Sequence, residues 1–339
     1  MTHSLPWILW LVITLTGLLT TRNPIYLLLS FIILLATGTL LARKRGKSQW
    51  TVANLRFLLT MILLSSLINT LFTHTGGTVL FRFPEDWLLI GGNITLESLI
   101  FGMINGLVIG SLYITFNILN LALSVKQIIR LIPSIFQPLA LTITIALTFF
   151  PSIQKRAEEI KEAQMIRGNQ MKRISDWLPL LMPLLVTSLE NAFLLSESMS
   201  SRGFHSQKNP ISYTFTLVST IGATFSIFSG WILRLYDYPE IISIMLYAFG
   251  GLLLLITGIA GNRRSKITHF KQEQLRKSDI SATIVLGTIL GFWIIFHLFD
   301  LLPPFSYSPY PILSIPPLHM SALIFSMTPA VPILYIKND

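Results

Sequence analysis

The chain reads as long apolar blocks broken by short polar punctuation, and the length of the blocks carries the first prediction. Blocks at 5–20, 24–41, 55–73, 94–119, 211–233, 240–260, 280–300 and 318–336 approach or exceed the roughly 20 residues needed to cross a hydrocarbon layer about 30 Å thick. They are continuous rather than alternating, which argues against the period-two pattern of a membrane barrel. The pattern predicts an all-α polytopic membrane protein of about eight transmembrane helices.

The stretch 121–208 departs from that rhythm. It is apolar at 134–150 and 177–195 but polar between, and Pro133, Pro138, Pro151, Pro179 and Pro183 are expected to divide its runs into pieces too short for comfortable spanning. Over 152–168, Ile153, Ala157, Ile160, Ala163 and Ile166 form one apolar stripe at helical spacing, with Lys and Glu on the opposite face. Lys155 with Glu159, and Glu158 with Lys161, are spaced to meet on that polar face, each pair contributing a few tenths of a kcal/mol. The chain therefore divides into N-terminal transmembrane helices (1–120), an interfacial region of amphipathic helices between spans four and five (121–208), and C-terminal transmembrane helices (209–339).

Composition agrees: 52% of residues are hydrophobic, mean hydropathy is +0.65 and only 12% are charged, against roughly 25% in a soluble domain. The net charge of +10 raises the question of nucleic acid, but the basic residues gather in short loops beside apolar runs, as in the positive-inside pattern. Arg43, Lys44, Arg45 and Lys47 form one such loop, and Arg263, Arg264, Lys266, Lys271, Arg276 and Lys277 another. Both are expected in the cytoplasm, with both termini on that side and the Pro-rich loop 303–317 outside. The first apolar run lacks a basic leader and a clear cleavage site, so it reads as a span.

Catalytic constellations are not evident. There is no cysteine, which excludes thiolate metal sites, disulfides and thiol nucleophiles. Gly46, Lys47 and Ser48 resemble the end of a phosphate-binding loop, but Leu41 stands where its first glycine belongs. The six histidines are scattered, so neither a metal site nor a cofactor is expected. Glu97 and Asp300, near span ends, are the carboxylates on which the alternative of a stand-alone secondary carrier or channel would rest. Gly102, Gly106 and Gly110 recur every fourth residue in the fourth span and are expected to let another helix approach closely.

One pattern occurs twice. Glu162 is followed at the fifth position by Arg167 and then Gly168; Glu197 is followed in the same way by Arg202 and Gly203. Glycine commonly terminates a helix and an arginine in the last turn meets its negative end, so a single occurrence would be ordinary. Two, 35 residues apart, point instead to paired helix tips whose planar guanidinium groups suit a carboxylate on a partner.

The run Glu162-Ala163-Gln164 to Arg167-Gly168, together with 188–204, resembles the transmembrane coupling subunit of energy-coupling factor (ECF) importers of vitamins and metals. Arg22-Asn23-Pro24, 91–97 and Phe149-Phe150-Pro151 are similar to that family too, so the resemblance covers about 20–205. Ile166 and Ser201 precede the arginines where the family often has alanine. The resemblance implies a multi-pass protein of a prokaryotic cell membrane that is not itself an enzyme. Two cytoplasmic ABC-type ATPase subunits would each receive one Arg-Gly helix end, with Glu162, Arg167, Gly168, Glu197, Arg202 and Gly203 at the contact. Their motion would pass to a separate membrane-embedded substrate-binding subunit.

Overall fold

The computed structural model describes residues 3–47, 49–83, 92–132, 137–168, 177–203, 213–236, 239–264, 276–298, 307–310 and 314–336. It is helical almost throughout and forms two compact units, Met1–Ile128 with Lys271–Asp339, and Ile129–Phe270. Among the described residues six helices are long and apolar enough to cross a membrane; Ser4–Thr20, Leu217–Leu233 and Met320–Tyr335 are shorter apolar stretches.

In the first unit, α1 (Ser4–Thr20) and α2 (Pro24–Lys44) are joined at the Asn-Pro punctuation. Asn23 caps α2, its side-chain oxygen accepting from the Ile25 N–H at 3.0 Å, with Pro24 in the first helical position. Then come α3 (Trp50–Phe72), a hairpin of β1 (Val79–Phe83) and β2 (Gly92–Thr95), α4 (Leu96–Ala122) and the short α5 (Val125–Ile129). The hairpin is antiparallel, pairing Phe81 with Ile94 and Arg82 with Asn93, in the gap between the third and fourth apolar blocks. The core joins Trp7, Trp10 and Ile13 of α1 to Leu34 of α2 and Ile114 and Ile118 of α4.

α4 lies directly on α3 through its three glycines. A Cβ added at Gly102 would come within 2.6 Å of the Ser66 Cα, and one at Gly106 within 2.6 Å of the Ile62 Cα; at Gly110 it would overlap the Leu58 side chain. Backbone meets backbone here, which suits a membrane interior where tight van der Waals packing drives helices together.

The C-terminal part of this unit is α10 (Lys277–Leu298), α11 (Met320–Ser326), a 3-10 turn (Thr328–Ala330) and α12 (Val331–Ile336). The single span expected over 318–336 is thus broken. Pro329 has no N–H to give the Phe325 carbonyl, which instead accepts from Thr328 Oγ1 at 2.7 Å. The Ala330 N–H turns to the Met327 carbonyl, and the Ser326 carbonyl accepts from Ser30 Oγ of α2 at 3.1 Å. Thr37 Oγ1 lies 3.1 Å from the Pro329 carbonyl, Asn23 donates to the Pro317 carbonyl at 2.9 Å, and the Tyr26 hydroxyl accepts from the His319 N–H at 2.6 Å. A polar stripe along α2 thereby satisfies a backbone that could not satisfy itself in lipid.

The second unit holds α6 (Gln137–Ile166), which packs on α7 (Leu178–Ser201), and α8 (Tyr213–Leu235), paired with α9 (Glu240–Arg264). α8 and α9 are antiparallel: Ser226 Oγ donates to the Leu246 carbonyl at 2.8 Å, and Gly250 faces Ala223 while Gly230 faces Ser243. The expectation that prolines divide 134–195 into short pieces fails. α6 continues for 30 residues through Pro151, and α7 for 24 residues through Pro183. An internal proline removes one hydrogen bond, and nearby hydroxyls add others, Ser152 Oγ to the Phe149 carbonyl at 2.8 Å and Thr148 Oγ1 to the Thr144 carbonyl at 2.6 Å. Pro179 stands in the first turn, where a missing N–H leaves no helical bond unmade. By length and composition α7 is itself one of the candidate spans.

Gly106→Leu is expected to force α3 and α4 apart and destabilise the protein by about 1–3 kcal/mol, read as a lower thermal-unfolding midpoint in detergent. Gly222→Ala in α8, where no atom of the described residues lies within 4 Å of the added Cβ, should leave the midpoint unchanged or raise it.

Candidate functional site

Both Arg-Gly motifs terminate long helices in the same way. α6 ends at Ile166, the Arg167 N–H reaches the Ala163 carbonyl at 3.3 Å and the Gly168 N–H reaches the Met165 carbonyl at 3.0 Å. α7 ends at Ser201, and the Gly203 N–H reaches the Ser200 carbonyl at 3.0 Å. Gly168 has φ +86° and Gly203 φ +75°, the left-handed conformation that a residue with a Cβ adopts at a cost. Each glycine thus turns the chain out of its helix just beyond the arginine.

Glu162, Arg167, Glu197 and Arg202 are all exposed. Among the described residues neither guanidinium has an ion-pair or hydrogen-bond partner. Glutamate and arginine five positions apart do not face one another on a helix, so the motif leaves its charges available. The apolar stripe of α6 is only partly covered: Ile153, Ala157 and Ile160 are half-buried, whereas Ala163 is exposed and Ile166 is 87% exposed. The tip at Arg167 therefore carries an uncovered apolar surface beside its charge.

A third helix ends alike. Gly46 follows Arg45 at the end of α2, with φ +69° and its N–H 3.1 Å from the Arg43 carbonyl. Charge counting had taken this loop only as a marker of sidedness. The difference is in the arginine: Arg45 Nη2 donates to the Ala122 carbonyl at 3.1 Å, closing the C-terminus of α4. The glycine ending alone is common to all three; the uncommitted guanidinium belongs to Arg167 and Arg202.

Glu97 is buried at the first turn of α4 and is committed to the loop before the hairpin. Its carboxylate accepts from the Thr78 N–H at 3.1 Å and from Thr78 Oγ1 at 2.7 Å, while Thr95 caps the same helix. A carboxylate at a helix N-terminus is electrostatically favoured, and here it clasps a loop. Asp300, the other carboxylate of the carrier alternative, lies outside the described residues, as do His205, His269, Lys266 and Lys271.

A multi-pass helical membrane protein bearing two like, arginine-tipped helix ends is the class that fold and site define. The family model of CbiQ, described as a cobalt transport protein, matches residues 5–213. The energy-coupling factor transporter transmembrane protein EcfT of Bacillus selenitireducens is 30% identical over 194 residues, covering 54% of this chain and 71% of that protein. EcfT 1 of Listeria monocytogenes is 30% identical over 167 residues, 43% of this chain and 59% of its own. EcfT of Bacillus subtilis is 26% identical over 178 residues, 49% and 66% respectively. The chain belongs to the EcfT/CbiQ family of ECF transporter membrane components. Both Arg-Gly motifs fall inside the matched residues, and 214–339 lie beyond them.

Gly168→Ala and Gly203→Ala should each destabilise their helix end by about 1 kcal/mol. Amide exchange in the last turn should accelerate about fivefold, while asparagine at the same positions, which tolerates this conformation, should have a smaller effect.

Proposed function

We propose that this chain is the coupling subunit of an ATP-driven importer of vitamins or transition-metal ions. In this reading it neither hydrolyses ATP nor selects the cargo. Two cytoplasmic ABC-type ATPase subunits each hold one Arg-Gly end, Arg167-Gly168 and Arg202-Gly203, with Glu162 and Glu197 at the rim of the contact. Closure of the ATPase pair on ATP moves α6 and α7 as levers, and a separate membrane-embedded substrate-binding subunit follows. The region 121–208 then lies at the cytoplasmic interface, and both termini are cytoplasmic, as the basic clusters suggest.

The observation that carries this reading is the pair of matched helix ends with exposed, uncommitted guanidinium groups. A planar fork at a rigid tip suits bidentate contact with a partner carboxylate. The names of the relatives support the transporter context, and the uncovered Ile166 supplies apolar area for a docked surface to cover.

Arg167→Glu and Arg202→Glu should each weaken co-purification of the ATPase subunits at least tenfold, and the double variant should abolish it, with membrane insertion unchanged. A charge reversal leaves two like charges facing across the contact, worth several kcal/mol. Normal ATPase recovery by the double variant would overturn the proposal. Transport by proteoliposomes containing this chain alone would favour the carrier instead.

A further inference from the structure

α3 contains one charged residue, Arg56, in WTVANLRFLLTMILLSSLINTLF. At 100° per residue it lies on the same face as Val52, Leu59, Leu63 and Leu67, and these four are 55%, 53%, 71% and 58% exposed. The opposite face, with Asn54 and Leu58, is buried toward α4. Arg56 is itself exposed, and its guanidinium has no partner among the described residues. It therefore sits on the exposed apolar face of α3, six residues or about 9 Å inside the start of the helix at Trp50.

A cation at that depth, on an outward apolar face, is costly unless it reaches the interface or meets an anion. Among the described residues of this unit no carboxylate is exposed to meet it: Glu97 and Asp279 are both buried. Its surroundings add no negative charge there. They do provide more positive charge. Arg43, Lys44, Arg45 and Lys47 are exposed on the turn that leads into α3, and Lys126 is exposed just beyond the end of α4, which Arg45 ties to that turn.

We propose that Arg56, together with the basic turn 43–47, binds the phosphate of an anionic phospholipid in the adjoining leaflet. The guanidinium fork takes the phosphate oxygens, the exposed leucines of α3 lie along the acyl chains, and the turn supplies the field that favours an anionic headgroup over a zwitterionic one. Sidedness of the protein does not enter, because Arg56 and the turn belong to the same end of α3.

The test uses the full chain in detergent and native mass spectrometry with phosphatidylglycerol and phosphatidylcholine of identical acyl chains. Wild type should retain phosphatidylglycerol preferentially. Arg56→Leu, which extends an apolar face and touches no buried group, should fold normally and lose about fivefold in phosphatidylglycerol affinity, with a smaller loss for phosphatidylcholine, whose phosphate is already paired with its own choline. Arg56→Lys should keep most of the preference. Equal retention of the two lipids by wild type, or an unaltered preference in Arg56→Leu, would overturn the proposal. So would an equal loss of both lipids, which would point to general loosening of the helix face.

Discussion

The backbone-to-backbone contact of α4 with α3 is the constraint on which the first unit depends. Between helices in hydrocarbon no gain comes from removing apolar surface from water, so close packing and hydrogen bonds must hold them. Gly102 and Gly106 bring α4 so near that a methyl group would collide with the Cα atoms of Ser66 and Ile62. α4 then becomes the common neighbour of α1, α2 and α3. Its ends are closed by groups from elsewhere in the chain, the Thr78 loop held by Glu97 at one and Arg45 on the Ala122 carbonyl at the other. Glycine weakens an isolated helix by about 1 kcal/mol; here the loss is offset by the approach that its missing side chain permits.

Much of this was legible in the chain itself. Block lengths predicted helices that the structure contains, the gap between the first two blocks marked the turn into α2, and the Arg-Gly pairs predicted helix ends at 166 and 201. Proline was the poorest guide. The same chemical defect, a missing N–H, leaves α6 continuous at Pro151 yet accompanies a break at Pro329. The break is supported by hydroxyls on α2: Ser30 reaches the Ser326 carbonyl and Thr37 the Pro329 carbonyl, 296 and 292 positions away in sequence. A local rule can say which hydrogen bond a proline removes; it cannot say who replaces it.

The candidate site was legible as a pair of motifs but not as a distinction. Three of the described helices end in arginine followed by a left-handed glycine, at Gly46, Gly168 and Gly203, so terminal geometry alone does not separate them. What separates them is the employment of the guanidinium. At Arg45 it is spent on a helix carbonyl within the same unit. At Arg167 and Arg202 it is exposed, with no partner among the described residues.

The same criterion sorts arginines more finely than a count of charges can. Counted only as positive charges beside apolar helices, Arg45, Arg56, Arg167 and Arg202 are alike. Once the helices are in place the four part company. Arg45 closes a helix, Arg56 stands two turns inside an apolar face, and Arg167 and Arg202 stand at the tips of long helices in the other unit. An arginine that the fold has already paired contributes to structure. One that the fold leaves exposed on a rigid element, with no carboxylate to meet among the described residues, is a candidate binding group, and its position along the helix sets the kind of partner proposed for it.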